Sequence, residues 1–160
     1  MNKEKLDIYC YNSPVGGIII KADGVFLKEL NFAQSDPDFA NGKVNNEIIL
    51  SLINQLDEYF CRQRKYFRVS LDFRRLSPFQ RLVLKALSQI PYGTTRSYKE
   101  VAVSIGKPQS FRPVGAACGR NPYPLIIPCH RVISSQGDIG GFSADIKIKE
   151  KLLQIEGWKG

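Results

Sequence analysis

The sequence predicts an α+β protein, with a small α/β scaffold domain at residues 1–75 and a mainly helical domain with a helix-turn-helix at 76–160. Strand-length apolar runs and one amphipathic helix fill the first half, whereas helical apolar spacing dominates the second. The charges divide at nearly the same place. Residues 1–72 carry 9 basic and 10 acidic side chains, and residues 73–160 carry 14 basic and 5 acidic ones. The second half is therefore expected to meet an anionic partner.

The first half is predicted to contain a hairpin, a helix and a further strand. Apolar runs at residues 17–21 and 25–32 flank Asp23-Gly24, a pair typical of hairpin turns. Apolar residues then recur at helical spacing over residues 44–60, and residues 67–73 alternate as in a half-buried strand. No polar cluster emerges in this half, which we interpret as a scaffold.

The second half opens with a well-marked helix. Ser77 is a good N-cap and Pro78 suits the first helical position. Ser97 and Glu100 have the spacing of a capping box for the next helix. The face of the first helix that we expect to be buried consists of Phe79, Leu82, Val83, Ala86, Leu87 and Ile90.

Two short helices separated by a turn at Gly106 are typical of a helix-turn-helix, the second of them capped by Ser110. Arg112 falls in the first turn of that second helix, where the helix dipole disfavours a cation. This residue is either a tolerated exposed arginine or one that projects towards nucleic acid, and the spacing does not decide between them.

A last helix is predicted from Ser143, with Ile148, Leu152 and Ile155 on its apolar face. Glu156 falls in the final turn, where the helix dipole disfavours an anion. Spacing alone therefore favours an exposed, frayed glutamate at this position.

Composition excludes several classes of protein. No apolar run is long enough to cross a membrane, and the start has no stretch typical of a signal peptide, so we expect a cytoplasmic protein. The four cysteines form no closely spaced pair and the chain has a single histidine. We therefore expect neither a metal site nor a disulfide framework.

The strongest chemical signal lies at Cys129 and His130. Pro122, Pro124 and Pro128 restrict the backbone just before this pair, and Arg131 follows it. Such surroundings favour a nucleophilic thiolate. Because neighbouring residues in extended backbone point to opposite sides, we expect water to carry the proton between the two side chains. The imidazole would then need a third group to orient it.

These residues resemble the O6-alkylguanine-DNA alkyltransferases, also called methylated-DNA–protein-cysteine methyltransferases. The resemblance is nearly continuous over residues 77–157, and the first half shares it more loosely at residues 13–16 and 56–60, which implies a ribonuclease-H-like scaffold. The segments that carry it are Pro128 to Val132, Asn121-Pro122, Gly140 to Ser143, Tyr98, Arg112 to Gly115 and Lys149 to Glu156.

The resemblance implies a single-turnover repair reaction without a cofactor or metal. The damaged guanine would be rotated out of duplex DNA, and the Cys129 thiolate would take its alkyl group irreversibly. His130 would accept the thiol proton through water, with Glu156 orienting the ring. Asn121 would brace the turn that precedes the cysteine, and Tyr98 would contact the phosphate that rotates with the nucleotide.

The resemblance also implies a DNA surface and a guanine pocket. The helix-turn-helix would enter the minor groove, with Arg112 filling the gap left by the flipped base. The protein would act as a monomer, and cooperative binding along DNA is left open. Further DNA contacts are expected from Ser97, Gly115 and Arg120, and pocket contacts from Pro124, Phe142, Ser143 and Ala144.

Two departures and two alternatives accompany this interpretation. Ala144-Asp145 stands where the family commonly has a stretch of small residues or two glycines, which bears on pocket width, and Pro113 replaces a frequent alanine. One alternative is a non-catalytic damage-binding protein of the alkyltransferase-like type, although such proteins carry tryptophan at the position of Cys129. The other is a Cys-His hydrolase, which leaves the helix-turn-helix and the basic second half unexplained.

Overall fold

The computed structural model describes residues 5–35, 41–140 and 144–160. The chain forms two compact units, Met1–Asp72 and Phe73–Gly160. Among the described residues, the first contains a three-stranded antiparallel sheet and one helix, and the second contains four helices and a short two-stranded parallel sheet. The predicted α+β class is confirmed. No helix among the described residues is long and apolar enough to span a membrane.

The sheet of the first unit has the strand order β1 (Asp7–Ser13), β2 (Gly16–Ala22) and β3 (Leu27–Phe32). The hairpin between β2 and β3 lies where the sequence predicted it, and the Asp23 carboxylate accepts bonds from two backbone amides of its turn. Strand β1 was not predicted. Its buried residues pack with those of β2 and β3, namely Cys10, Tyr11, Ile18, Ile20, Ala22, Leu27 and Leu30.

Helix α1 (Glu47–Phe60) covers this sheet and begins at Asn46, whose side chain accepts bonds from two backbone amides. The strand predicted over residues 67–73 is wrong. Apart from one bridge between Leu71 and Leu27, the segment has no strand pairing, and Phe73 is 38% exposed. Alternating apolar residues do not make a strand unless a sheet edge is available to pair with all of them.

The helices of the second unit begin largely where their caps predicted. Helix α2 (Pro78–Leu87) starts after Ser77, and helix α3 (Tyr98–Ser104) starts after Ser97 with both bonds of the capping box formed. Helix α4 (Phe111–Gly119) follows Ser110, whose side chain makes no capping bond. One residue of the predicted buried face of α2 is misplaced, because Leu82 is exposed and Leu84 is buried instead.

The rest of the second unit brings the Cys-His segment to the start of α3. Strand β4 (Arg96–Ser97) pairs in parallel with β5 (Val132–Ile133), which directly follows a single 3-10 turn at Cys129–Arg131. Helix α5 (Ile146–Ile155) packs against that turn. The cap predicted at Ser143, which lies outside the described residues, is wrong, because Asp145 is the N-cap and accepts a bond from the Lys147 amide.

Candidate active site

Asn121 ties together the turn that leads to Cys129. Its side-chain amide donates to the Ile127 carbonyl at 2.9 Å, and its side-chain oxygen accepts from the Tyr123 amide at 2.9 Å. Within this loop Leu125 has a φ of 73°, a left-handed conformation that a bulky residue seldom adopts. The two bonds of a buried side chain thus hold a strained backbone immediately before the cysteine.

The predicted pair His130 and Glu156 is in direct contact. The Nε2 atom of His130 lies 2.8 Å from Oε1 of Glu156, and neither side chain is exposed. Hydrogen bonds and opposite charge from His130 and Arg131 hold the pKa of Glu156 well below its usual range, despite burial. The carboxylate is therefore ionised and can only accept, so Nε2 carries the hydrogen and donates.

Arg131 completes the surroundings of this carboxylate. Its Nε donates to Glu156 Oε2 at 2.9 Å and its Nη2 donates to Oε1 at 2.8 Å, a two-point contact. A third bond runs from Nη1 to the Ile90 carbonyl at 2.7 Å, and the Gly93 amide donates to Oε2 at 3.3 Å. Glu156 is thereby fixed from several sides, and it fixes the His130 ring in turn.

The other nitrogen of the His130 ring is available for proton transfer. Burial lowers the pKa of His130, so the ring is neutral at pH 7 and the Nδ1 atom is an acceptor. Within the described part of the chain, no group hydrogen-bonds to this buried Nδ1. A direct thiol–imidazole bond is thus absent there, and a bridging water is the route by which Nδ1 could receive the Cys129 proton.

Cys129 itself is a buried thiol, 3% exposed. Burial raises its pKa, and a hydrogen bond from Asn121, the positive charge of Lys149 and the backbone amides of Cys129 and His130 oppose that rise. The resting side chain is a protonated thiol whose ionised form already has donors and a cation around it. Such a thiol needs a base to remove its proton, and the surrounding donors and cation stabilise the thiolate once it has formed.

Tyr98 stands beside the two buried thiols of this unit. Burial and the neighbouring Cys118 and Cys129 raise its pKa to about 12, so the phenol remains a hydrogen-bond donor at pH 7. Its ring lies against the backbone of Gly115 and Gly140, where an added Cβ would be 3.8 Å from ring atoms. Glycines at these positions let α4 and the later loop approach the first residue of α3.

The predicted DNA-binding residues lie around the two helices α3 and α4. Arg112 is exposed in the first turn of α4, with its guanidinium 6.0 Å from the Phe111 ring. Ser97 is half-buried and is the N-cap of α3. Arg120 is exposed directly after α4, and its carbonyl accepts a bond from the Gln80 side chain at 3.0 Å.

The predicted pocket residues are described only in part. Pro124 is buried and Ala144 is half-buried, whereas Phe142 and Ser143 lie outside the described residues. Among the described residues, no group of three or more His, Cys, Asp or Glu side chains could hold a metal ion.

Two buried residues of this region escaped the sequence analysis as site residues. Arg131 was treated only as a charge near Cys129, although it is 7% exposed and its guanidinium donates hydrogen bonds to Glu156. Lys149 was named only as the first residue of a segment that carries the family resemblance, although it is 0% exposed and donates to the Val132 carbonyl at 2.6 Å. A signal was present in the spacing, because Lys149 and Glu156 are seven residues apart and so share one face of a helix.

Comparison with known proteins places the chain next to one group of repair proteins. Residues 78–158 match the family profile described as "6-O-methylguanine DNA methyltransferase, DNA binding domain", and residues 8–73 match that of the ribonuclease-like domain. A methylated-DNA–protein-cysteine methyltransferase of Methanosarcina barkeri is 42% identical over 147 residues, covering 90% of this chain and 92% of that protein. One of Mycobacterium tuberculosis is 38% identical, covering 91% and 88%.

Solved structures give the same result. The chain is similar to Mycobacterium tuberculosis O6-methylguanine methyltransferase, with a TM-score of 0.82, 35% identity and coverage of 95% of this chain and 93% of that one. It is also similar to the Mycobacterium tuberculosis OGT protein crystallised in complex with DNA, with a TM-score of 0.81, 37% identity and coverage of 92% and 90%.

Proposed function

Because the chain belongs to the 6-O-methylguanine DNA methyltransferase family, we propose that it repairs O6-alkylguanine in duplex DNA by moving the alkyl group irreversibly to Cys129. The observation that carries this proposal is the buried His130 ring. One of its nitrogens is held by Glu156 and the other is an available acceptor, next in sequence to a buried thiol. In this arrangement the His130 imidazole can accept the thiol proton and so ionise the cysteine.

The proposed reaction begins with recognition in the minor groove. Minor-groove readout is degenerate, which suits damage that occurs in any sequence, and basic residues supply affinity. Arg112, exposed at the start of α4, fills the gap left when the damaged guanine rotates out of the stack. Tyr98 donates to the phosphate that turns with the nucleotide, while Ser97, Gly115 and Arg120 contact the backbone nearby.

Chemistry follows once the alkyl carbon reaches Cys129. The thiol proton passes through water to His130 Nδ1, while Nε2–H remains bonded to Glu156. The sulfur attacks the alkyl carbon, the bond from that carbon to O6 breaks, and its electron pair stays on the guanine. The proton that left the sulfur passes from His130 to the guanine, so the products are S-alkylcysteine and guanine.

The rest of the proposed site supports these steps. Asn121 holds the turn and donates to the thiol, which favours its ionised form. The pocket that takes the base is expected to include Pro124 and Ala144, together with Phe142 and Ser143, which lie outside the described residues. To restore the thiol, a nucleophile would have to displace the cysteine thiolate from the alkyl carbon, and a thiolate is a poor leaving group, so each molecule reacts once.

The setting of the reaction is proposed as well. The N-terminal scaffold domain extends over residues 1–75 and the DNA-binding and alkyl-transfer domain over 76–160. The protein works as a monomer on DNA in the cytoplasm, without a cofactor or metal. The two alternatives are not favoured: the curated relatives are named as methyltransferases, and the residue at position 129 is the cysteine that transfer requires.

The test is transfer of a labelled methyl group from duplex DNA containing O6-methylguanine. We expect one label per protein molecule, located on Cys129 by peptide mass spectrometry, and no second turnover with excess DNA. Cys129→Ser is expected to abolish transfer, whereas Cys61→Ser, which alters an exposed cysteine, should leave it intact. Full transfer by Cys129→Ser would refute the proposal.

A further inference from the structure

Lys149 is a fully buried lysine inside the unit that carries Cys129. Its relative exposure is 0%, and its ammonium donates to the Val132 carbonyl at 2.6 Å. Lysine is almost never fully buried unless a specific interaction compensates for the lost hydration. Val132 is three residues from Cys129, so this bond fixes the ammonium beside the 3-10 turn that carries the cysteine.

Among the described residues, three titratable groups on two elements interact electrostatically with the ammonium. Helix α4 supplies Cys118, and the 3-10 turn supplies Cys129 and His130, each of which interacts electrostatically with Lys149. Burial lowers the pKa of Lys149 to about 8, and the two thiols oppose that shift. Lys149 therefore carries its charge at pH 7, and it lowers the pKa of the Cys129 thiol.

Helix α5 thus delivers two groups of opposite charge to the same turn. Lys149 lies in the first half of the helix, and Glu156 lies at its C-cap. Glu156 contacts His130, which is to receive the proton, whereas Lys149 faces the thiols. Their seven-residue separation keeps them two helical turns apart, so the carboxylate and the ammonium do not neutralise each other by direct contact.

We propose that Lys149 is a positioning residue whose buried ammonium stabilises the Cys129 thiolate that forms during alkyl transfer. This rests on the proposed function, in which Cys129 is the acceptor. The thiol proton goes through water to His130 Nδ1 and Lys149 keeps its own protons. The negative charge on sulfur is consumed as the carbon–sulfur bond forms, while the electron pair of the broken carbon–oxygen bond leaves with guanine.

This role makes the effect of Lys149 on the pKa of Cys129 depend on pH. Above about pH 8 Lys149 loses its proton, so the thiol loses the cation that favours its ionised form. A lysine that only fills space would not change the pKa of the cysteine when it loses its proton. The two roles therefore differ in the pH profile of the thiol.

The first test measures alkylation of Cys129 by methyl iodide, a donor that carries no guanine and needs no DNA. The rate at Cys129 is followed by peptide mass spectrometry between pH 6 and pH 10 in wild type, Lys149→Met and Lys151→Met. Lys151 lies on the same helix but is exposed, which makes it the matched control.

We expect Lys149→Met to react about tenfold more slowly at pH 7, as for a thiol pKa raised by about one unit, and Lys151→Met to match wild type. Identical profiles for Lys149→Met and wild type would overturn the proposal.

A second measurement leaves Lys149 in place and so does not depend on folding of the Lys149 variant. Carbon-13 NMR of the lysine side chains follows Lys149 in wild type and in Cys129→Ser. We expect the Lys149 signal to titrate near pH 8 in wild type and to respond a second time at higher pH, when the neighbouring Cys129 thiol ionises, whereas Cys129→Ser should lack the second step. The same single step in both proteins would contradict the pairing.

Failure of this inference is distinguishable from failure of the proposed function. If wild type transfers methyl groups from DNA but the methyl iodide profiles coincide, the function stands and the role of Lys149 falls. If the profiles separate as expected while wild type transfers nothing from DNA, the charge pairing stands and the repair function falls.

Discussion

His130 Nε2 lies 2.8 Å from Glu156 Oε1, and both side chains are completely shielded from solvent. The same carboxylate receives two bonds from Arg131, so a single glutamate orients the imidazole and neutralises a buried guanidinium. This places His130 in one tautomer, with Nδ1 as the acceptor. The contact joins residues 26 apart in the sequence, and it depends on α5 packing against the Cys129–Arg131 turn.

Glu156→Gln should impair both alkyl transfer and stability. The amide keeps the shape of the side chain but removes the negative charge, so Arg131 becomes an uncompensated buried cation and His130 loses its orienting acceptor. We expect the transfer rate to fall by about 100-fold or more, since positioned general bases contribute about 10²–10⁴. The free energy of unfolding should fall by about 3 kcal/mol, as when one partner of a buried pair is removed.

Single-turnover transfer from methylated duplex DNA and urea unfolding measure these two effects. The control is Glu150→Gln, on the exposed face of α5, which should change neither quantity appreciably. A Glu156→Gln protein that transfers at the wild-type rate would show that the carboxylate does not orient the base.

Stability should decrease as the pH falls, in two stages. Burial lowers the pKa of His130 in the folded protein, so below about pH 6.5 the unfolded chain takes up a proton that the folded chain excludes, and stability declines. The pKa of Glu156 is also lowered, by His130 and Arg131. Its contribution is complete above its unfolded pKa of about 4.3 and is lost as the pH falls below that value.

Urea unfolding between pH 8 and pH 3 measures this dependence. His130→Gln should lack the decline that begins near pH 6.5, and Glu156→Gln should have a shallower slope below pH 4.5. Profiles of these variants parallel to that of wild type would assign the acid sensitivity to other groups.

Much of the second unit was predictable because its signals are local. The helix starts at Ser77 and Ser97 depend on hydrogen bonds within a few residues, and the structure contains those bonds. The strand predicted over residues 67–73 failed because a strand needs a distant partner, which the alternation of its own side chains does not reveal. The start predicted for the last helix at Ser143 was also wrong, because Asp145 is the N-cap of that helix.

The residues of the candidate site also differ in whether a local sequence signal identified them. Cys129 and His130 stood out from their own neighbourhood, and spacing alone favoured an exposed Glu156, which only the family resemblance linked to His130. In the structure the Glu156 side chain is fully buried, because Arg131 and His130 satisfy its charge. Lys149 was missed because charged residues on a helix are expected to face solvent, and the face that it shares with Glu156 indicates burial only once Glu156 is known to be buried.

Gly93→Ala should distort the position of Glu156. Gly93 has a φ of 75°, and a Cβ added there would lie 2.8 Å from the Glu156 backbone oxygen, closer than such atoms come. The left-handed conformation alone costs alanine about 1–2 kcal/mol, and the contact adds to that cost. We expect lower stability and slower methyl transfer, because the displaced segment carries the carboxylate that orients His130.

Gly137→Ala is the matched control for this variant. Gly137 also has a positive φ, of 87°, but an added Cβ would meet nothing within 4 Å. It should therefore show the conformational cost without the loss of transfer. Equal transfer rates for the two variants would mean that the close approach of Gly93 to Glu156 does not matter for the reaction.

Arg112→Ala should weaken repair more than it weakens binding to undamaged DNA. The side chain is exposed in the first turn of α4, and the proposed role in filling the gap is needed only when a base has left the stack. Arg120→Ala provides the comparison, because a phosphate contact supports damaged and undamaged DNA alike. Transfer rates and affinities for matched duplexes measure both effects, and equal losses on the two DNAs for Arg112→Ala would make it an ordinary phosphate contact.

Alkylation of Cys129 should lower the melting temperature of the protein. The thiol is 3% exposed, and the turn before it is fixed by the two bonds of Asn121, so an added alkyl group has to displace packed atoms. Overpacking of this kind costs about 1–3 kcal/mol. Calorimetry before and after complete reaction with methylated DNA, followed by removal of the DNA, measures the shift.

The same treatment of Cys129→Ser controls for exposure to DNA and should leave its melting temperature unchanged. An ethyl donor should give a larger decrease than a methyl donor, since it adds a further carbon to the same space. Equal melting temperatures for unreacted and alkylated protein would show that the site accommodates the group without displacing its neighbours.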